Sequence, residues 1–69
     1  MLKEFKLEGE YIKLDQLLKI TEVVDSGGHA KILIVNGEVN VNNKITTQRG
    51  KKIRVGDVVE VEDIQIKVV

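Results

Sequence analysis

The sequence contains no cysteine, and this absence excludes several kinds of site at once. Disulfide bonds, thiolate nucleophiles and thiolate zinc sites all require cysteine, and a chain without it suits the reducing cytosol. The first six residues alternate charged and apolar side chains, so they form neither the apolar stretch of a signal peptide nor a membrane span. We therefore expect a soluble, cytoplasmic protein.

Aromatic residues and histidine are also scarce. Phe5 and Tyr11 are the only aromatic residues, so the stacking platform of many single-strand nucleic-acid binders is not expected. His29 is the only histidine and lacks sequence partners for a metal site or a general base, which favours a surface position at a helix end. With no nucleophile-base pair or cofactor loop either, we expect no enzyme, no metal and no cofactor.

What the chain does have is a globular composition in a short length. Hydrophobic residues make up 42% and charged residues 32% of the 69 residues. A chain of this size has room for one small, continuous core, so residues 1–69 are predicted to form a single domain.

The formal net charge is zero, but the charges are unevenly distributed. Residues 1–12 and 13–43 each sum to −1 and residues 55–69 sum to −3, whereas residues 44–54 sum to +5. This basic segment, residues 44–54, holds five cations and no acid: Lys44, Arg49, Lys51, Lys52 and Arg54. Such a segment is either a solvated loop or a local positive surface that attracts anions.

Two helices are predicted in the first half of the chain. Leu14, Leu17 and Leu18 are spaced i, i+3 and i+4 within residues 13–20, which places them on one helical face. A second helix is predicted to begin at Ser26, a good N-cap, and to end at residues 36–37, where Gly37 can adopt the left-handed conformation.

The remaining residues show the period-two pattern of strands. A first strand is predicted at residues 5–8, a hairpin at residues 39–45 around Asn42 and Asn43, and further strands on either side of turns at 56–57 and 62–63. The order predicts an α+β fold in which two short helices pack on a small curved antiparallel sheet.

Ser26, Gly27 and Gly28 stand at the start of the second helix, where each glycine is unfavourable relative to alanine by about 0.8–1 kcal/mol. Bare backbone at a helix N-terminus lets a phosphate approach the free N–H groups, and Lys31 lies on the same helical face. The alternative is that the glycines make a tight connector or allow close helix packing. A P-loop is excluded, because its glycine spacing and its Lys-Ser/Thr pair are absent.

Four stretches between about residues 11 and 61 resemble the RNA-binding domain of ribosomal protein S4. Lys-Leu-Asp-Gln-Leu-Leu at 13–18 stands where that family has Arg-Leu-Asp-x-x-Leu, and Ser-Gly-Gly-His-Ala-Lys at 26–31 stands where it has Ser-Arg-x-x-Ala. Asn-Gly-Glu-Val-Asn-Val-Asn at 36–42 and Val-Gly-Asp-Val-Val-Glu-Val at 55–61 match its Gly-x-Val-x-Val-Asn and Gly-Asp-x-Ile-x-Val.

The two-glycine variant, together with Arg-Gly-Lys-Lys-Ile at 49–53, resembles the small stand-alone YaaA/YbcJ-like branch of that family. The resemblance implies an αL motif and a non-catalytic module that binds structured RNA, such as ribosomal or tRNA-like RNA, through phosphates and shape. It implies no membrane or small-molecule partner. Eleven residues are the predicted RNA contacts: Lys13, Gln16, Ser26, Gly27, Gly28, Lys31, Lys44, Arg49, Lys51, Lys52 and Arg54.

A β-grasp-like protein-interaction domain is the alternative, because the stretches 39–42 and 55–61 also resemble small sulfur-carrier proteins. The carrier role itself is disfavoured, since it needs a C-terminal Gly-Gly and the sequence ends in Lys-Val-Val. For the RNA-binding hypothesis we expect modest sequence preference and a strong dependence of affinity on salt.

Overall fold

Both predicted helices are present in the computed structural model, which describes residues 1–69. Helix α1 spans Leu14–Ile20 and helix α2 spans Gly27–Val35. Ser26 is the N-cap of α2: its backbone is extended and its hydroxyl accepts a hydrogen bond from the His29 N–H at 3.2 Å. Gly37 ends the same helix with a φ of +76°, a conformation that glycine adopts without strain. Neither helix is long and apolar enough to cross a membrane.

Five strands form the main sheet: β1 (Leu2–Phe5), β3 (Val39–Val41), β4 (Lys44–Ile45), β6 (Val58–Val61) and β7 (Ile64–Val68). Their order is β1-β7-β6-β3-β4. The α+β fold with two helices on a small sheet is confirmed. All neighbouring strands are antiparallel, as predicted, except β1 and β7, which are parallel, so the sheet is mixed. A parallel pair needs a long connection, which the intervening elements provide.

The first strand lies three residues earlier than predicted. The register with β7 runs from Leu2 opposite Gln65 to Phe5 opposite Val68. Beyond Phe5 the ladder leaves only an isolated bond from the Leu7 N–H to the Val69 carbonyl at 2.9 Å. The alternation of charged and apolar residues extends further than the strand, because it depends on which side chains are exposed, whereas the ends of a strand depend on where the neighbouring strand pairs with it.

A second, two-stranded ribbon lies apart from the main sheet. It is formed by β2 (Ile12–Lys13) and β5 (Lys52–Ile53), which are antiparallel, with Ile12 opposite Ile53 and Lys13 opposite Lys52. Because α1 follows β2 directly, this ribbon fixes the basic segment beside the start of α1.

Two tight turns close the hairpins of the main sheet. Asn42 and Asn43 have φ values of 52° and 69°, as a type I′ turn requires. The β6-β7 turn places Glu62 at a φ of 55°. These turns set the register that directs alternate residues into the core.

The core lies between the two helices and the main sheet and contains no buried polar residue. The predicted face of α1 is completely buried, and the side of α2 that packs against it contributes Ala30, Leu33 and Ile34. The strands supply most of the rest: Val39, Val41, Ile53, Val59, Val61, Ile66 and Val68.

Candidate nucleic-acid interface

Backbone hydrogen bonds tie the basic segment to the start of α1. The Leu14 N–H donates to the Lys51 carbonyl at 2.9 Å, and the Asp15 N–H donates to the Arg49 carbonyl at 3.1 Å. The first N–H groups of a helix have no acceptor within the helix, so the loop satisfies two of them. Arg49 and Lys51 are thereby held close to the first turn of α1, and their side chains are exposed.

The β2-β5 ribbon places two lysines side by side. Lys13 lies directly opposite Lys52, and both are exposed, while Ile53 next to Lys52 is completely buried. Like charges directly opposite each other destabilise an antiparallel pair. An anion bound between the two ammonium groups would remove that repulsion.

Tyr11 lies against the cations of this ribbon. The Lys52 Nζ is 4.9 Å from the centroid of the Tyr11 ring, and the Arg54 Cζ is 6.0 Å from it, within the range of cation-π interaction. Tyr11 is not among the eleven predicted RNA contacts. Tyr11 and Lys13 are two residues apart on one strand, and Lys52 and Arg54 are two residues apart on the other. This spacing indicates a contact between them only when the pairing of the two strands is known.

Lys44 and Lys51, at the two ends of a loop within the basic segment, line one shallow cavity of about 330 Å³ next to the β3-β4 hairpin. Asn42 and Thr46 supply polar groups at its wall. Both lysines are exposed, so the cavity is open to solvent. It connects the hairpin lysine with the cations at the start of α1.

Gln16 is exposed on α1, one turn after the paired lysines, in a depression that it shares with Ile12, Lys19 and Ile20. Its backbone N–H donates to the Asp15 Oδ1 at 2.8 Å. Its side-chain amide makes no hydrogen bond within the chain. The amide is therefore available to a ligand that approaches α1 from the side of β2.

The start of α2 exposes free backbone donors. Gly27 and Gly28 are both solvent-exposed, and their N–H groups donate to no group of the chain. Lys31 lines the same surface depression as Gly28. His29 is exposed in the first turn, as predicted.

The two glycines are not required by the structure of the chain itself. Neither has a positive φ. A Cβ built at Gly27 meets nothing within 4 Å, and one built at Gly28 meets only the Ser26 Oγ at 3.8 Å, an ordinary contact. The alternative explanation by a tight connector or close helix packing is therefore not supported.

The contacts thus define two clusters among the eleven predicted residues. The first, here called the α1 cluster, surrounds the start of α1 and consists of Lys13, Gln16, Lys44, Arg49, Lys51, Lys52 and Arg54. The second, the α2 cluster, consists of Ser26, Gly27, Gly28 and Lys31. No hydrogen bond or shared cavity joins them directly, and they are connected through the packing of α1 on α2.

Two short helices packed on a small mixed sheet, with α1 following a strand and α2 opening on Ser26, are the αL arrangement. A family model described as "S4 domain" matches residues 5–69. The chain belongs to the S4 domain family. This assignment disfavours the β-grasp alternative.

Two relatives resemble the chain over most of its length. It is 44% identical over 62 residues to the probable ribosome maturation protein RlbA of Bacillus subtilis (strain 168), covering 90% of this chain and 87% of that protein. The solution structure of YbcJ from E. coli, described as revealing an αL motif involved in RNA binding, superposes with a TM-score of 0.75 at 33% identity. That match covers 96% of this chain and 85% of YbcJ.

Proposed function

We propose that this protein binds a structured ribosomal RNA. We propose further that it takes part in the maturation of the ribosome in the cytoplasm, and that it does so by binding RNA and not by catalysis. Membership of the S4 domain family and the RNA-binding αL motif of YbcJ support RNA as the ligand, and the likeness to RlbA, a probable ribosome maturation protein, supports ribosomal RNA. The maturation role is carried over from RlbA, which is 44% identical to this chain over 62 residues.

The observation that carries this proposal is the α1 cluster. Six of its members are cations, five of them in the basic segment and one, Lys13, on β2. They are brought together by the Lys13-Lys52 pairing, the two backbone bonds between the basic segment and α1, and the cavity shared by Lys44 and Lys51. Cations placed close together repel each other, which destabilises a protein that binds no anion. Bound phosphates neutralise these charges, so the cluster is favourable in a protein that binds RNA.

The α2 cluster suits a second contact with the RNA backbone. Phosphates bind at helix N-termini to free N–H groups and nearby cations, and this cluster offers two free N–H groups and Lys31 in the same depression as Gly28. The glycines have no side chain that would keep a phosphate away from these N–H groups. Side chains that read base edges are sparse, so we expect recognition through phosphates and shape, with modest sequence preference.

The direct test is the double variant Lys51→Ala/Lys52→Ala, assayed for binding to structured ribosomal RNA fragments over a range of salt concentrations. Affinity should fall by about ten-fold or more at low salt, because two phosphate contacts are lost. The slope of log affinity against log salt should become shallower by about 1.4–1.8, at roughly 0.7–0.9 for each contact. The melting temperature should hardly change, since both side chains are exposed.

The matched control is Lys3→Ala/Lys67→Ala, which removes the same charge from β1 and β7, at the end of the sheet opposite β4. Its affinity and salt slope should stay close to those of the unchanged protein. Equal losses in the two double variants would mean that net charge alone matters, and unaltered affinity in Lys51→Ala/Lys52→Ala would remove the basic segment from the RNA-binding surface.

A further inference from the structure

We infer that Tyr11 is a positioning residue of the RNA-binding surface: its ring holds the side chains of Lys52 and Arg54 in the orientation in which they bind phosphates. This inference rests on the proposed function and adds to it a residue outside the basic segment and outside the eleven predicted contacts.

The strand register brings the three side chains together. Ile12 lies opposite Ile53 and Lys13 opposite Lys52, so one further step along the ribbon brings Tyr11 beside Arg54. Side chains alternate between the two faces of a strand, and Ile53 points into the core. Lys52 and Arg54 therefore share the outer face with Tyr11 and Lys13, in agreement with the distances of 4.9 Å and 6.0 Å from the ring.

The Tyr11 ring lies between the two cations and a mostly apolar depression. Tyr11 is 40% exposed, and it lines this depression together with Phe5, Lys6, Leu7, Glu8, Ile12 and Ile20. The Lys52 and Arg54 side chains lie 4.9 Å and 6.0 Å from the ring centroid. The hydroxyl group makes no hydrogen bond within the chain, so the aromatic ring alone is needed for this role.

Without the ring, the ribbon cations would move apart. Lys52 has Lys13 across the ladder and Arg54 on the same face, so each neighbour repels it. Long cationic side chains also have many rotamers, most of which point away from any single ligand. The attraction of both cations to the ring opposes the repulsion and reduces this freedom, and preorganisation of that kind increases affinity.

The test compares Tyr11→Leu with Tyr11→Phe in binding to structured ribosomal RNA. Tyr11→Leu keeps the apolar packing but loses the ring, so affinity should fall about two- to five-fold, as expected for an exposed cation-π interaction. The salt slope should not change, because no charge is removed. Tyr11→Phe should bind like the unchanged protein.

The Lys52→Ala/Arg54→Ala background tests whether Tyr11 acts through these two cations. There Tyr11→Leu should have no further effect on affinity, since the side chains that the ring positions are absent. A full additional loss in that background would overturn the inference, because Tyr11 would then contact RNA by itself. An equal loss in Tyr11→Phe and Tyr11→Leu would overturn it as well, since the hydroxyl group would be the active part.

Nuclear magnetic resonance of the free protein separates this inference from the proposed function. The ring should shift the ε-methylene protons of Lys52 upfield in the unchanged protein and in Tyr11→Phe, and these protons should return to ordinary values in Tyr11→Leu. Ordinary values in the unchanged protein would overturn the positioning role whether or not RNA binds. A normal ring shift with no RNA binding would instead overturn the proposed function, and the inference with it.

Discussion

At the scale of single residues, Gly27 and Gly28 are the two residues of the proposed RNA-binding surface that the structure of the chain itself does not require. Each would be replaceable by alanine without a clash or a forbidden backbone conformation. Glycine in a helix is less favourable than alanine, so the chain is less stable than it could be at this point. Sites at which stability is given up without a structural reason are often sites of function.

Gly28→Ala should therefore stabilise the protein and weaken its binding to RNA. The free energy of unfolding should rise by about 0.4–1 kcal/mol, because alanine restricts the unfolded chain. In a domain of this size the melting temperature should rise by about 2–8 °C. Affinity for structured RNA should fall, because a methyl group then stands next to the free N–H groups. Thermal melts and binding titrations measure the two effects.

Asn43→Gly is the control for this experiment. It relieves a φ of 69° in the β3-β4 turn without changing charge, and it makes the Asn-Gly pair that type I′ turns favour. It should also raise the melting temperature but leave RNA affinity unchanged. If Gly28→Ala lost stability, or bound RNA as tightly as before, the explanation given for the glycines would be incorrect.

At the scale of elements, Asn42 and Asp57 lock the β3-β4 hairpin to the β5-β6 connection. The Asn42 Oδ1 accepts a hydrogen bond from the Val58 N–H at 2.9 Å, and its Nδ2 donates to the Asp57 Oδ1 at 2.9 Å. The other Asp57 oxygen accepts from the Arg54 N–H at 2.8 Å. These bonds join the residues just before the basic segment to the residues at and just after its end, so both of its ends are held in place.

Asp57→Ala should destabilise the protein by about 1–2 kcal/mol, because two side-chain hydrogen bonds are lost and their partners are left without an acceptor. Chemical denaturation measures this loss. The control is Asp63→Ala, which removes a carboxylate of the β6-β7 turn whose side chain makes no hydrogen bond. Similar stability of the two variants would show that the Asn42-Asp57 bridge does not hold the hairpin.

Elements whose signals are local could be predicted from the sequence. The leucine spacing in α1, Ser26 and Gly37 at the ends of α2, and the Asn42-Asn43 turn each depend on nearby residues, and all are confirmed. The pairing of β1 with β7 and of β2 with β5 joins residues far apart in the chain, and no local pattern encodes it. The mixed sheet was missed for this reason.

The same distinction applies to the candidate site. The basic segment was visible as a charge run, and the two glycines were visible as an unfavourable helix start. The position of Tyr11 against Lys52 and Arg54 was not visible, because it depends on the β2-β5 register. That the eleven predicted residues contact RNA stays a prediction, as does the positioning role of Tyr11.

At the scale of the whole molecule, the net charge of zero is the sum of two unlike regions. The cations concentrate in the basic segment and at the start of α1, while Glu60, Glu62 and Asp63 lie on or between β6 and β7. An uneven distribution of charge orients a molecule in the field of a polyanion, so we expect the basic segment to approach RNA first. A protein of zero net charge can in this way bind RNA in one orientation.

We expect the α1 and α2 clusters to form one RNA-binding surface, and a titration of the isotope-labelled protein with a structured ribosomal RNA fragment tests this expectation. Changes in backbone amide resonances should concentrate at Lys13, Gly27, Gly28, Lys51 and Lys52, with little change along β1 and β7. Changes centred on β1 and β7, with the amides of both clusters unaffected, would contradict the account.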